Sequence, residues 1–368
     1  MIPILKKSML VLPIFFIASV SFAQSRDGWY KVFTGKVGDF TATLHLHRAA
    51  KNYSGYMWLQ PNLLPLKIYY DEPLKKTDSL VLGAGGGSIS ILLSGILEGD
   101  VFGGTSEIKI GRTTPKKDAF EFHVNSGASF TPFNYYYTEG FAKLPAEFQN
   151  KSECLYVASS IWPLGNGDAE LTYKKDILQV LGTKTPVDEI GKWMIDEKNS
   201  TISTWKKTNT ALSPKETSQM GLSLSLHQET RILIMYENVK YLTLANYSFG
   251  YTGGAHETYA TTISTFNKQT SKKLALTDIL NPAGIQALPK LLDQAAREQF
   301  AVKNLNPLNQ NGFLVNRILP NQNFYVTETG IGFIYAPYVI KSFADGEVNL
   351  VVPFTALKAY LKPGTAEK

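Results

Sequence analysis

Residues 40–47 read Phe40-Thr41-Ala42-Thr43-Leu44-His45-Leu46-His47, a strict alternation of apolar and polar side chains. Successive side chains of a strand point to opposite faces, so one face would carry Phe40, Ala42, Leu44 and Leu46 and the other the threonines and histidines. The spacing predicts a half-buried strand. On either side of it, from Trp29 to about Phe141, no window sustains a 3.6-residue apolar period. Further strands are expected at Tyr53 to Leu59, Leu66 to Tyr70, Ser79 to Leu82, Ile89 to Leu93, Val101 to Ile110 and Ala119 to Val124. Turns at Gly83 to Gly87, Gly95, Gly99 and Gly103-Gly104 are too closely spaced for crossovers and suit consecutive antiparallel strands. Residues 24–145 are therefore expected to form an all-β, antiparallel, barrel-like meander.

Beyond Pro145 the pattern changes, and the polar stretch Glu147 to Ser152 reads as a linker. Cys154 to Ile161 is strand-like, whereas Asp168 to Leu181 and Val187 to Lys207 carry helical spacing, as Ile190, Trp193 and Met194 illustrate. Leu222 to Leu226, Thr230 to Tyr236, Tyr241 to Phe249 and Thr258 to Phe266 read as successive antiparallel strands, the first two joined by His227-Gln228-Glu229. Asn281-Pro282 is a helix start, because Asn accepts from free N–H groups and Pro suits the first helical position. Leu288, Leu291, Leu292, Ala295, Ala296 and Phe300 form one stripe on the helix that follows. Three more strands and a short terminal helix from Pro353 to Leu361 complete the chain. Residues 153–361 are expected to form an α+β domain with an antiparallel sheet packed on helices, making the whole chain α+β.

Length and composition agree with two cores. The chain has 368 residues, 44% apolar and 18% charged, and its 19 Tyr, 20 Phe and 29 Gly favour strands and tight turns. The formal charge is +6, of which Lys6 and Lys7 lie in a leader-like segment, leaving +4. That balance is too small for a nucleic-acid stripe. The leader reads as a signal peptide over residues 1–23. A basic start is followed by an apolar run from Met9 to Val20 and then Ser21-Phe22-Ala23, with cleavage expected after Ala23. The apolar run is shorter than the roughly 20 residues of a membrane-spanning helix, so no anchor is expected in the mature chain. Periplasmic or secreted localisation follows as an expectation. Cys154 is the only cysteine, which excludes an internal disulfide and leaves packing to stabilise the fold; it reads as a core residue.

The run Tyr247-Ser248-Phe249-Gly250-Tyr251-Thr252-Gly253-Gly254-Ala255-His256 is followed by Thr265-Phe266-Asn267 and Lys273-Leu274-Ala275-Leu276-Thr277-Asp278-Ile279-Leu280. Together with Asn323-Phe324-Tyr325-Val326-Thr327-Glu328-Thr329-Gly330-Ile331-Gly332-Phe333-Ile334-Tyr335, these residues resemble the RsiV-type domain of unknown function over about residues 241–360. Residues 153–240 resemble the small companion module that precedes this domain in exported bacterial proteins. The resemblance implies an envelope-facing α+β domain. Among the best-understood relatives are an anti-sigma factor whose external part binds lysozyme and a peptidoglycan deacetylase carrying the module as an accessory. The present sequence shows neither a sigma-binding segment nor a recognisable deacetylase domain.

Candidate chemistry centres on Gly253-Gly254-Ala255-His256. Adjacent glycines allow positive φ and expose backbone N–H groups, so Tyr251, Gly253, Gly254, His256 and Glu257 form the candidate ligand-binding set, against the simpler reading of a special hairpin turn. His256-Glu257 is not a zincin motif, because Ala260 stands where a second His is required. His45 and His47 share a strand face and could supply two metal ligands, but no third is evident, and exposed polar positions on a half-buried strand explain them. Ser203-Thr204-Trp205-Lys206 has acyl-enzyme spacing without its usual partners. Tyr56 and Trp58 share a face, as Tyr251 and Tyr259 could, and such faces stack on sugars or pack in cores. No nucleophile elbow, phosphate-binding loop or dinucleotide fingerprint occurs, and no cofactor or metal is implied. The expected function is a non-catalytic envelope binding module for a cell-wall glycan or a secreted protein such as lysozyme. The rival is an envelope polysaccharide or peptidoglycan hydrolase or transferase using His256 with Glu257.

Overall fold

The computed structural model describes residues 28–60, 65–71, 80–86, 89–125, 130–148, 150–186, 188–303 and 305–365. The signal peptide expected at 1–23 lies outside them. Eight strands come first: β1 (Trp29–Val37), β2 (Phe40–Ala49), β3 (Asn52–Gln60), β4 (Pro65–Asp71), β5 (Leu80–Gly86), β6 (Ile89–Glu98), β7 (Val101–Ile110) and β8 (Lys116–Val124). Each pairs antiparallel with the next and β8 pairs with β1, so the meander closes into a barrel without a free edge. The alternation in β2 divides its faces as expected. Leu44 and Leu46 point inward with Phe33, Met57, Phe102 and Phe122, which fill the barrel as a packed core. Gly55 of β3 has φ +150°, and a Cβ there would run into the His45 carbonyl, so only glycine lets β3 approach β2 this closely.

The second body is built on a six-stranded sheet of order β14-β13-β12-β11-β10-β9. Its strands are β9 (Phe133–Lys143), β10 (Glu153–Pro163), β11 (Leu226–Glu237), β12 (Tyr241–Tyr251), β13 (Thr258–Asn267) and β14 (Lys272–Lys273). The sheet changes between Val124 and Phe133, because β9 registers with β10 along its whole length, from Phe133 opposite Pro163 to Lys143 opposite Glu153. The stretch around Pro145 to Ser152 connects these two hairpin partners and contains a 3-10 turn at Ala146–Phe148. The sheet is mixed: β10 and β11 run parallel. A parallel pair needs a long crossover, supplied here by α1 (Asp168–Val180), α2 (Ile190–Thr210) and α3 (Pro214–Met220). The separate strand expected at Leu222 to Leu226 is instead a 3-10 turn at Gly221–Leu224, and the expected connector His227-Gln228-Glu229 lies inside β11. Cys154 is fully buried on β10 beside Ala142, Phe148 and Trp205.

A third layer follows. The short α4 (Leu276–Ile279) leads to α5 (Pro282–Gln299), which starts as the sequence indicates, with the Asn281 side chain accepting from the Gly284 N–H at 2.9 Å. Leu288, Leu292 and Ala296 of α5 bury against a three-stranded sheet of β15 (Phe324–Val326), β16 (Gly330–Tyr335) and β17 (Val348–Pro353), before the one-turn α6 (Phe354–Leu357). The three bodies meet where Tyr56 and Trp58 of the barrel pack on Leu233 and Met235 of β11 and on Tyr325 and Ile334 of the third layer. The side chains at the centre of this junction are buried, and a cavity lies on each side of it. No helix among the described residues is long and apolar enough to cross a membrane.

Candidate functional site

The residues singled out in the sequence sit at the β12–β13 connection. Gly253 has φ +79° and faces the Ser223 carbonyl with no room for a Cβ, whereas Gly254 is unconstrained and open. His256 is exposed. Its Nδ1 lies 2.8 Å from the carbonyl of Glu257, its Nε2 lies 3.4 Å from the Tyr338 hydroxyl, and its ring stacks on Phe343 at 4.4 Å between centroids. Phe343 in turn meets Tyr259 edge-on at 5.7 Å. The structure therefore brings His256 together with Tyr338 and Phe343, and leaves Tyr251, Gly253, Gly254, His256 and Glu257 outside the walls of a cavity of about 780 Å³.

That cavity, about 780 Å³, opens beside the junction. Barrel strands β3 and β4 contribute Tyr53, Tyr56 and Lys67; β11 to β13 contribute Glu229, Arg231, Tyr247, Tyr259 and Thr261; the turn before β17 contributes Asp345 and Glu347. Strand alternation sets this up. Glu229 and Arg231 are two apart on β11 and opposite Phe249 and Tyr247 of β12, so one sheet face supplies charges and ring together. The polar groups are mostly committed. Both oxygens of Glu347 accept from Thr261, one from its N–H and one from its hydroxyl at 2.8 Å. Glu229 pairs with Arg231 Nε at 2.5 Å. Asp345 accepts from the Ser342 hydroxyl at 2.6 Å and pairs with Lys341 at 3.3 Å.

Lys67 differs from these. Its ammonium stands 3.4 Å from the centre of the Tyr247 ring and 3.9 Å from Glu347, beyond hydrogen-bond reach. Burial pushes its pKa down to about 8; the nearby Glu347 and Glu229 charges pull it back up, and Arg231 adds to the lowering. Burial likewise raises the Tyr247, Tyr56 and Tyr259 hydroxyls, so all three rings present neutral phenols. Lys67, Glu229, Arg231 and Glu347 escaped sequence reading because they come from three bodies; the one local sign was a charge inside an otherwise strand-like run, as in Leu66-Lys67-Ile68.

His45 and His47 are placed differently from expectation. They face outward from the barrel but are 1% and 0% exposed, because the second sheet covers that face. The Tyr30 hydroxyl lies 2.8 Å from His45 Nδ1, and the Tyr30 ring stacks on His47 at 4.6 Å. No group of three or more His, Cys, Asp or Glu side chains among the described residues is placed to hold a metal ion. A second cavity of about 530 Å³ lies on that side, lined by His45, Trp58, Phe130, Tyr236, Glu237 and Glu328 among others. Ser203 and Lys206 lie on the exposed face of α2, away from both cavities.

No curated protein matches the chain. Among solved structures, a DUF3298 family member from Bacteroides fragilis aligns with a TM-score of 0.56 at 20% identity, covering 64% of this chain and 94% of that one. A DUF3298 family protein from Pseudomonas aeruginosa aligns at 0.46 and 14% identity, covering 66% and 99%. The first likeness shows a shared fold and nothing about ligands. Residues 277–355, which run from α4 through α5 and the three-stranded sheet into α6, match the family described as "Protein of unknown function (DUF3298)". The chain thus carries a DUF3298 domain as its third layer, packed on the sheet and barrel that precede it.

Proposed function

We propose that this chain is an exported cell-envelope protein that binds a cell-wall glycan segment in the cleft between β3–β4, β11–β13 and the turn before β17. The observation that carries the reading is the composition of that cleft: four tyrosine rings and a set of fixed carboxylates and cations around about 780 Å³. Sugars offer an apolar ring face and a rim of hydroxyls, and aromatic walls with preset polar groups answer both. The leader-like start of the sequence supports the reading, since an exported protein would meet wall polymers. A binding role is favoured over turnover because His256, the residue on which a hydrolase reading rests, is exposed and stands outside the cleft walls. Calorimetric titration of the mature chain with soluble wall-glycan fragments tests the reading. Saturable binding that Tyr247→Ala weakens is expected; absence of binding to every fragment would overturn it.

One observation favours a second reading, recognition of a secreted protein such as lysozyme. Tyr338 is 57% exposed and holds φ +67°, a conformation that a tyrosine adopts at a cost, beside His256 and Phe343. A pull-down with lysozyme, repeated with Tyr338→Gly, distinguishes that surface from the cleft.

A further inference from the structure

The charges of the cleft are not equally satisfied. Each carboxylate has donors within the protein: Glu347 from Thr261, Glu229 from Arg231, Asp345 from Ser342. Among the described residues the Lys67 ammonium has no hydrogen-bond acceptor, only the Tyr247 ring beneath it and Glu347 at 3.9 Å. Its side chain is 30% exposed, and that exposure is to the cleft, which Lys67 lines. Arg231, the second cation of the lining, meets Glu229 through Nε and lies close enough to Lys67 for the two charges to oppose each other. Arg231 is offset by Glu229 and the Lys67 charge in part by Glu347 at 3.9 Å, but the three N–H groups of Lys67 are left to donate to an oxygen that enters the cleft, and an anionic one is the stronger acceptor.

We propose that the saccharide taken by this cleft bears a carboxylate, as a muramic or uronic acid unit does, and that Lys67 is its specificity-determining contact. The inference rests on the glycan reading and adds the charge of the ligand to it. The ammonium would donate to the carboxylate while the sugar ring lies against the tyrosines, so that the Tyr247 face and the ligand oxygen share one cation. A neutral sugar offers hydroxyl acceptors only, and a hydrogen bond between two ionised groups is the stronger by about tenfold in affinity.

Matched probes test this on the mature full chain. The N-acetylglucosamine–N-acetylmuramic acid disaccharide is titrated beside its methyl ester, and tetragalacturonate beside its methyl ester, so that each pair differs in charge and the two pairs separate muramic from uronic sources. At least one acid should bind about tenfold more tightly than its ester, with the ratio shrinking as salt is raised and falling to about one in Lys67→Met. If that variant does not fold, Lys67→Gln and the salt dependence of the wild type supply the same comparison. Equal binding of acid and ester in both pairs, or a ratio that survives loss of the lysine, overturns the inference and leaves the glycan cleft standing. Failure of all four probes to bind removes both.

Discussion

The Nε2 atom of His47 lies 3.1 Å from both the main-chain nitrogen and the main-chain oxygen of Ile234, 187 residues away. Ile234 sits where β11 has lost one neighbour, since β10 pairs with it only as far as Ile232. One residue on, β11 bulges: Ile234 faces Leu244 and Tyr236 faces Thr243, leaving Met235 as the extra residue. The Trp58 indole donates to the freed Met235 carbonyl at 2.9 Å. The barrel thus docks by supplying side-chain partners to backbone groups that the sheet leaves unpaired, at the centre of a buried contact where such groups would otherwise be costly.

Trp58→Phe keeps most of the ring and removes the donor. The Met235 carbonyl then stays buried without a partner, which costs on the order of 1–3 kcal/mol. Chemical denaturation of the variant should show that loss. A change below about 0.5 kcal/mol would mean that the junction relaxes enough for water to reach the carbonyl.

The same interface predicts acid sensitivity. Burial pushes the pKa of His45 down to about 3, with the neighbouring His47 adding to the shift; burial does the same to His47, to about 3, against an upward pull from the Ile234 contact. In the unfolded chain both titrate near 6.5. Their neutral forms therefore support folding fully above about pH 6.5, and stability falls as pH drops from there towards 3, because the unfolded chain takes up protons that the folded one refuses. The slope is at most about 1.4 kcal/mol per pH unit for each histidine. Denaturation midpoints between pH 7 and 4 should follow it, and His45→Gln should flatten the curve; an unchanged curve in that variant would place the acid sensitivity elsewhere.

Residues 40–47 show what a sequence can and cannot convey here. Their alternation separates Leu44 and Leu46 from His45 and His47, as the structure has it, but periodicity says nothing about what covers the second face, and polar side chains suggested solvent. The covering strand β11 was itself legible only in part, because His227-Gln228-Glu229 has the composition of a turn. In the folded chain Glu229 of that stretch lines the cleft, where it pairs with Arg231. Local signals carried the barrel, the Asn281 cap and the burial of Cys154, all decided within a few residues. Lys67 and Glu347 are 280 positions apart, and only the packing of the three bodies brings them within 3.9 Å.

Glycines in the β12–β13 connection should behave unequally. Gly253 holds φ +79° and a Cβ on it would run into the Ser223 carbonyl, so Gly253→Val should destabilise by more than about 1–2 kcal/mol. Gly254 has a φ outside the left-handed region and nothing within 4 Å of a Cβ, so Gly254→Ala should stay within about 0.5 kcal/mol of the wild type. Melting temperatures of the two variants decide this, and a Gly254→Ala protein that melts as low as Gly253→Val would contradict the assigned backbone.

His256→Ala separates a role in folding from one in binding. The ring rests on Phe343 at 4.4 Å and 30° between planes, but on the surface, so its removal should cost no more than about 1 kcal/mol. Because His256 does not line the cleft, affinity for a cleft ligand should change by less than about twofold. An aromatic link to the cleft runs through Phe343 to Tyr259, two contacts at 4.4 and 5.7 Å, which can shift a wall ring slightly without removing it. Melting and glycan titration on the same preparation read the two effects apart. A large loss of glycan affinity with an unchanged melting temperature would mean that the β12–β13 loop reaches over the cleft when ligand is bound, and would return His256 to the site.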